Sequence, residues 1–498
     1  MILNYEHLIS ADRRRQSGVE EDRDINQESE SDRGRFIFSS PLRRLQQKAQ
    51  VYSLEDNAAV RSRLTHSLEV SQLGRYIAQL ILKNLKPAAN ELKLVNREVA
   101  FVNFVETACL MHDVGNPPFG HLGEYAIQKW FVEKAVACIE KAKVNYTNHR
   151  PELDRYLSEF MKFDGNCQGF RIVTRLQWNN DEYGLNLTYS QLASYLKYVT
   201  HQSEADKDNE IKKKGGYFLT EEQIVKECWD KLGMAENTRH PLVYIMEAAD
   251  DIAYSISDIE DALEKGLIQL ETFLDNVKQT IEKSGQQETE FANVVLELVR
   301  KTQQEIGNNH LSPFTDFRTK LTRLLSNYAA KKYASHHQDI LKGTNPPIFS
   351  DKSNDIEVLT LEGIKKFAIR EVYSTAAASD NELAGYSVLQ GILNHCEPLL
   401  SCNRITFNHL CGVTPKEGSL KASMLQKRLF ALLPKRYLTV YKSEAYKLDE
   451  GDPLSDIKEW VHRGHFITDY LSGMTDDYAL ETFQLLSGIK VGRTNLTK

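Results

Sequence analysis

The segment from Met111 to Glu124 reads Met-His-Asp-Val-Gly-Asn-Pro-Pro-Phe-Gly-His-Leu-Gly-Glu, and it constrains the chain more than any other because one helix must end in it and another begin. Upstream, Val99, Val102, Val105, Cys109 and Leu110 recur at helical spacing and predict an amphipathic helix with His112 and Asp113 in its last turn. Gly115 stops that helix. Pro117 pushes Asn116 out of the α region, and the paired prolines stiffen a short loop. A second helical pattern runs through Leu122, Ala126, Trp130 and Phe131. His121 and Glu124 therefore share its first turn, three residues apart on one face, where the carboxylate can hold the imidazole.

An isolated histidine beside an aspartate is most often a solvated surface pair. Here the crowding of capable groups favours a metal and acid-base site. Imidazole with carboxylate is the mixed nitrogen and oxygen set suited to a catalytic divalent ion, and such an ion needs more than two protein ligands. His66 stands at the head of a helix carrying Leu73, Ile77, Leu80 and Ile81, and Asp250 lies in a helix opened by Pro241 and closed by Gly266. In that second helix Asp250, Tyr254 and Asp258 recur every fourth residue and share a stripe. Asp251, Glu260, Asp261 and Glu264 are expected to face water.

With 498 residues the chain can bury a sizeable core and has room for two or three domains. A net charge of -7 argues against coating nucleic acid by bulk charge and leaves only regional basic grooves. Seven cysteines without a Cys-x-x-Cys pair read as free thiols in a reducing compartment, and the polar N-terminus reads as neither signal peptide nor membrane span. A cytoplasmic protein with no membrane contact is expected. Alternation of the β type is scarce, which predicts an all-α fold.

Along the chain, residues 1–30 read as a polar, loosely attached arm. The run after Ser40 and Pro41 is helical in spacing and presents Arg43, Arg44 and Lys48, either as a solvated basic face or as a phosphate-facing surface. Residues 141–154 mark an insertion or loop, and 189–198 an amphipathic helix. Lys212, Lys213 and Lys214 read as a solvated loop, and 286–304 and 311–330 as packing helices. Lys427, Arg428, Lys435 and Arg436 lie among leucines on what reads as a solvated face, with an inter-subunit or nucleic-acid surface as the alternative.

His66, His112 with Asp113, and Asp250 reproduce, in order and setting, the pattern of the HD-domain metal-dependent phosphohydrolases. Ser31-Asp32-Arg33-Gly34-Arg35, the run from Ser40 to Lys48, the Gly-Asn-Pro-Pro-Phe-Gly-His loop, Met246 to Tyr254, and Asp469-Tyr470-Leu471-Ser472-Gly473-Met474-Thr475-Asp476 further resemble the bacterial deoxyguanosine triphosphate triphosphohydrolases. The resemblance implies an HD-domain helical core at 31–270 with an insertion around 141–216. A C-terminal helical region, 271–498, would complete the substrate pocket and carry oligomer contacts.

It also implies roles for particular residues. His66, His112, Asp113 and Asp250 would hold a divalent metal, Mg²⁺ or Mn²⁺, with Co²⁺ also acceptable to such ligands. His121 would transfer the proton, with Glu124 as its partner; a helix start favours neutral imidazole while the carboxylate raises its pKa, and the two influences oppose each other. Arg63, Lys197 and Tyr198 would grip the phosphates, and Gln50 would lie near the deoxyribose. Asn166, unaided a helix cap, becomes a substrate contact. Tyr254 and Asp258 would meet the sugar or base, and Glu382 the base. The implied reaction is cleavage of dGTP at the α-phosphate to deoxyguanosine and triphosphate by a homo-oligomer, a hexamer by resemblance, that also binds single-stranded DNA. Two alternatives stand beside it: a broader dNTP hydrolase or nucleotidase, and a nucleic-acid-binding regulatory HD protein with a vestigial site. The intact His121 and Glu124 argue against the second.

Overall fold

The expected helices form, and among the described residues the only β pairing is in isolated bridges such as Arg13 with Thr188. The structure, a computed structural model, describes residues 3–18, 23–55, 57–178, 181–307, 311–414, 421–449 and 451–490, with the backbone alone at 376–378. At its centre lies the helix Arg63–Leu85, opened by a reciprocal capping box between Ser62 and Thr65. Its apolar stripe, with Val70, Leu73, Ile77 and Ile81, is buried against three helices: Glu98–Met111, Pro241–Glu264 and Leu311–Ser335. Glu98–Met111 is buried almost all round, as a helix at the heart of a large protein must be.

The C-terminal half wraps this bundle. Leu270–Ser284 packs on Ile356–Glu371, which also leans on Pro241–Glu264. Ala376–Leu400 lies along Gly120–Lys141 and is backed by Asp476–Leu486. No helix among the described residues is long and apolar enough to cross a membrane, and all seven cysteines are free and buried.

Several expectations need correction. The stretch read as a loosely attached arm is packed: Tyr5, Leu8 and Ile9 are buried, and the Tyr5 hydroxyl lies 2.8 Å from that of Tyr333. Its polarity reflects pairing, because the Arg13 guanidinium is buried against Glu28 and Asp32. Residues 1, 2 and 19–22 of that stretch lie outside the described residues.

The basic run after Ser40 is split: Arg43 is exposed, as a solvated face would have it, while Arg44 and Lys48 turn inward, and none of the three lines the cavity described below. Its helix Ser40–Arg44 gives way to a 3-10 turn, Leu45–Gln47. Lys48 is buried, donating to the carbonyls of Asn116 at 2.5 Å and Ser472 at 2.6 Å, and Arg44 donates to the carbonyl of Gly473. The helix expected at 189–198 ends at Tyr195 and is buried on every side. Of the acidic residues expected in water, Asp261 is buried against Arg61, Glu260 pairs with Arg61 and Arg318, and Asp251 pairs with Lys365; only Glu264 is exposed.

Candidate active site

Glu98–Met111 ends one residue before His112, so His112 caps that helix and Asp113 lies in the following turn, slightly later than the sequence pattern implied. The cap fixes the imidazole. A helix leaves its last carbonyls without internal partners, and His112 Nδ1 takes up one of them, donating to the carbonyl of Cys109 at 2.7 Å. A carbonyl can only accept, so this bond places the proton on Nδ1 and frees the Nε2 lone pair.

That Nε2 is buried and has no hydrogen-bond partner. It faces Asp250 Oδ1 at 3.4 Å, and His66 Nε2 faces the same oxygen at 3.5 Å. The two rings meet edge to face with centroids 5.3 Å apart. Donor atoms of His66, His112 and Asp250 all lie within 4.8 Å of one another. A buried lone pair aimed at a carboxylate and a second imidazole, at separations too long for good hydrogen bonds, is the arrangement a divalent cation satisfies. These residues fit a metal ion.

Asp113 stands beside this trio. Its Oδ1 is 3.6 Å from His112 Nε2 and accepts from Asn116 Nδ2 at 2.7 Å, while Oδ2 takes Arg63 Nη1 at 2.6 Å. Burial opposes its ionisation, but Arg63 and the two histidines outweigh burial and hold its pKa at about 2. Asp250 follows the same pattern: burial works against the carboxylate, and His112, His66 and Lys197 lower its pKa well below the usual range. Both carboxylates are therefore ionised at neutral pH.

Every residue proposed from the sequence lines one cavity of about 470 Å³ around this trio, a size within the roughly 300–1,000 Å³ of small-molecule sites. Arg63 and His66 come from one helix, and Asp250, Tyr254 and Asp258 form a stripe along another. Lys197 and Tyr198 follow the buried helix Tyr189–Tyr195, where the chain leaves helical geometry at Leu196 and turns into the cavity. Burial disfavours the Lys197 charge, but Tyr198, Glu247 and Asp250 outweigh it and raise its pKa. Asn166 is not the helix cap. Asp164 caps the helix Gly165–Arg171, and the Asn166 side chain donates to it while facing the cavity. Gln50 and Glu382 stand on other walls.

His121 lies in the first turn of Gly120–Lys141, its side chain 87% accessible at the cavity mouth. Its Nδ1 is 3.1 Å from Glu124 Oε2, and this bond raises the imidazole pKa. The carboxylate thus outweighs the nearby charges of Arg63 and Lys214, which lower it.

Several cavity residues were not singled out from the sequence. Lys214, expected in a solvated loop, lines the cavity and pairs with Asp164 at 3.2 Å. Lys365 lies 5.5 Å from the ring centroid of Tyr254 and pairs with Asp251 at 3.0 Å. Tyr373 donates its hydroxyl to Asp258. Burial outweighs that bond and lifts the Asp258 pKa to about 6.

Residues 63–155 match the model of the HD domain. The chain is 38% identical to a protein of Pseudomonas aeruginosa named as a probable deoxyguanosinetriphosphate triphosphohydrolase, over 94% of each chain. It is 35% identical to the deoxyguanosinetriphosphate triphosphohydrolase of Yersinia enterocolitica, over 94% of this chain and 95% of that protein.

Proposed function

Because the chain belongs to the deoxyguanosinetriphosphate triphosphohydrolase family of HD-domain proteins, we propose that it hydrolyses dGTP at the α-phosphate, releasing deoxyguanosine and intact triphosphate. The observation that carries this reading is the pair of imidazole Nε2 atoms meeting Asp250 Oδ1 on one wall of a cavity whose mouth holds His121. His66, His112 and Asp250, with Asp113 beside them, would hold a divalent ion, Mg²⁺ or Mn²⁺ with Co²⁺ as a further candidate. When bound, the ion supplies water of lowered pKa and neutralises charge at the phosphate.

The remaining work falls to the chain. Arg63, Lys197, Tyr198 and Lys214 carry charges and donors suited to the oxygens of a triphosphate. Breaking the bond between the α-phosphorus and O5′ leaves an oxygen that needs a proton. An imidazole kept protonated by Glu124 can supply it, a contribution of roughly 10²–10⁴ in rate. Gln50, Asn166, Tyr254, Asp258 and Glu382 would orient the nucleoside. Seven reduced, buried thiols suit work on the cytoplasmic dNTP pool. The same reading carries a homo-oligomer, a hexamer by resemblance, and regional contact with single-stranded DNA; light scattering and salt-dependent binding measure these.

The test is product analysis with the four dNTPs and GTP, in Mg²⁺ and in Mn²⁺, for the wild type and His121→Ala. Fastest turnover of dGTP, triphosphate as the phosphorus product, and loss of turnover in the variant are expected. Release of orthophosphate, or equal rates for all nucleotides, would instead assign the broader HD hydrolase. Strand binding without hydrolysis by the wild type would assign the regulatory protein.

A further inference from the structure

We infer that Asp476, far along the chain from the HD segment, is a positioning residue for the His121–Glu124 pair, acting through the backbone turn at Phe119. The inference rests on the proposed role of His121 and adds how that imidazole is aimed.

Phe119 immediately precedes the helix Gly120–Lys141 and adopts φ 60° and ψ 24°, the left-handed region. For a bulky residue that conformation is strained and persists only when the surroundings impose it. Two contacts impose it here. The ring is buried over Gly385, where a Cβ would lie 2.2 Å from the ring. The Phe119 N–H donates to Asp476 Oδ1 at 3.1 Å.

The second oxygen of Asp476 accepts the N–H of Ala49 at 3.1 Å, and Ala49 and Gln50 form another part of the cavity wall. One buried carboxylate therefore ties together two wall segments that are remote in sequence. Lys48 crosses the same junction, linking the Asn116 carbonyl to that of Ser472. Because Phe119 is the N-cap residue, the plane of its peptide sets the direction of the first helical turn, which carries His121. His66, His112 and Asp250 are set by other helices, so loss of the brace should misplace the imidazole and leave the metal ligands in position.

The experiment compares the wild type, Asp476→Ala, Asp476→Asn, Phe119→Gly and the double variant Phe119→Gly/Asp476→Ala, with His121→Ala as reference. Turnover of dGTP and Mn²⁺ affinity without nucleotide are measured for each. Displacement of a catalytic group by about 1 Å costs on the order of 10²-fold, so Asp476→Ala should lose roughly 10- to 100-fold in kcat while Mn²⁺ affinity stays within about twofold. Asp476→Asn, which keeps one acceptor oxygen, should fall between, and it carries the test if the alanine variant does not fold. Glycine takes the left-handed turn unaided, so in the Phe119→Gly background the further loss on removing Asp476 should shrink to less than about threefold. An equal fractional loss in both backgrounds, an unchanged kcat, or Mn²⁺ affinity falling in step with kcat would overturn the inference. Full activity in His121→Ala would instead overturn the role assigned to His121, whatever the Asp476 variants do.

Discussion

The backbone N–H of Gly165 donates to Glu124 Oε1 at 2.7 Å, while the other oxygen of the same carboxylate faces His121. Glu124 is thereby fixed from behind by one segment and presents its charge to the imidazole in front. The approach needs a glycine: a Cβ at position 165 would lie 2.1 Å from the Asn116 side-chain oxygen and 3.1 Å from Glu124. The helix Gly165–Arg171 is thus docked against the turn after His112, and the histidine pair and the metal candidates are parts of one assembly.

Glu124→Gln isolates the charge of this carboxylate, because glutamine keeps the oxygen that receives the Gly165 N–H. The negative charge stabilises imidazolium, so its removal lowers the His121 pKa. With protonated His121 as the active form, the alkaline limb of kcat/KM against pH should move to lower pH. A pH profile of the two proteins measures it; an unmoved limb would remove His121 from the protonation step.

Asp250→Asn should abolish high-affinity metal binding. Asp250 Oδ1 faces both His66 and His112, and an amide lacks the charge that offsets a dication. Loss of outer partners already costs about 10- to 100-fold in affinity, so loss of this group should exceed about 100-fold. Calorimetric titration with Mn²⁺ reads this directly, and affinity within tenfold of the wild type would place the ion elsewhere.

The parts legible in the sequence were those whose chemistry coincides with a break in periodicity. Helical spacing up to Leu110, interrupted by Gly115 and Pro117, brought His112, Asp113, His121 and Glu124 together, and a four-residue repeat put Asp250, Tyr254 and Asp258 on one wall. Lys48 and Lys214 were not legible, for opposite reasons. Lys48 looks exposed by spacing, yet its ammonium is buried on two backbone carbonyls, partners that carry no side-chain signature. Lys214 sits in a lysine and glycine run that reads as solvated; only tertiary contacts, with Asp164 and through the Gly215 N–H to Gln202, aim it inward. Lys365 belongs to a packing helix whose pattern says nothing of the cavity it meets.

Lys214→Ala tests the most unexpected of these. Hydrogen bonds to charged groups are worth roughly 1.5–3 kcal/mol, so loss of this ammonium should raise the KM for dGTP by about tenfold or more. Because Lys214 is partly exposed and pairs outside the metal trio, Mn²⁺ affinity should stay unchanged. Steady-state kinetics alongside metal titration separate the two effects. A KM within twofold of the wild type would return Lys214 to the solvated role its sequence suggests.

Gly115→Ala should destabilise the fold as well as silence the site. A Cβ there would meet the Gly165 carbonyl oxygen at 2.0 Å and the Gly169 nitrogen at 2.2 Å, backbone atoms that no change of rotamer can move aside. The helix bearing Asn166 would have to back away from the turn after His112, releasing the Gly165 bond to Glu124. Overpacking of a tight interior costs about 1–3 kcal/mol, and rigid neighbours place this position at the upper end. Gly18→Ala is the control, since a Cβ at Gly18 would meet nothing within 4 Å and surface changes usually stay within about 0.5 kcal/mol. Urea unfolding of both variants should show a large fall in midpoint for Gly115→Ala and almost none for Gly18→Ala. Equal midpoints would mean that the turn and the Gly165 helix are not in contact, and the support assigned to Glu124 would go with it.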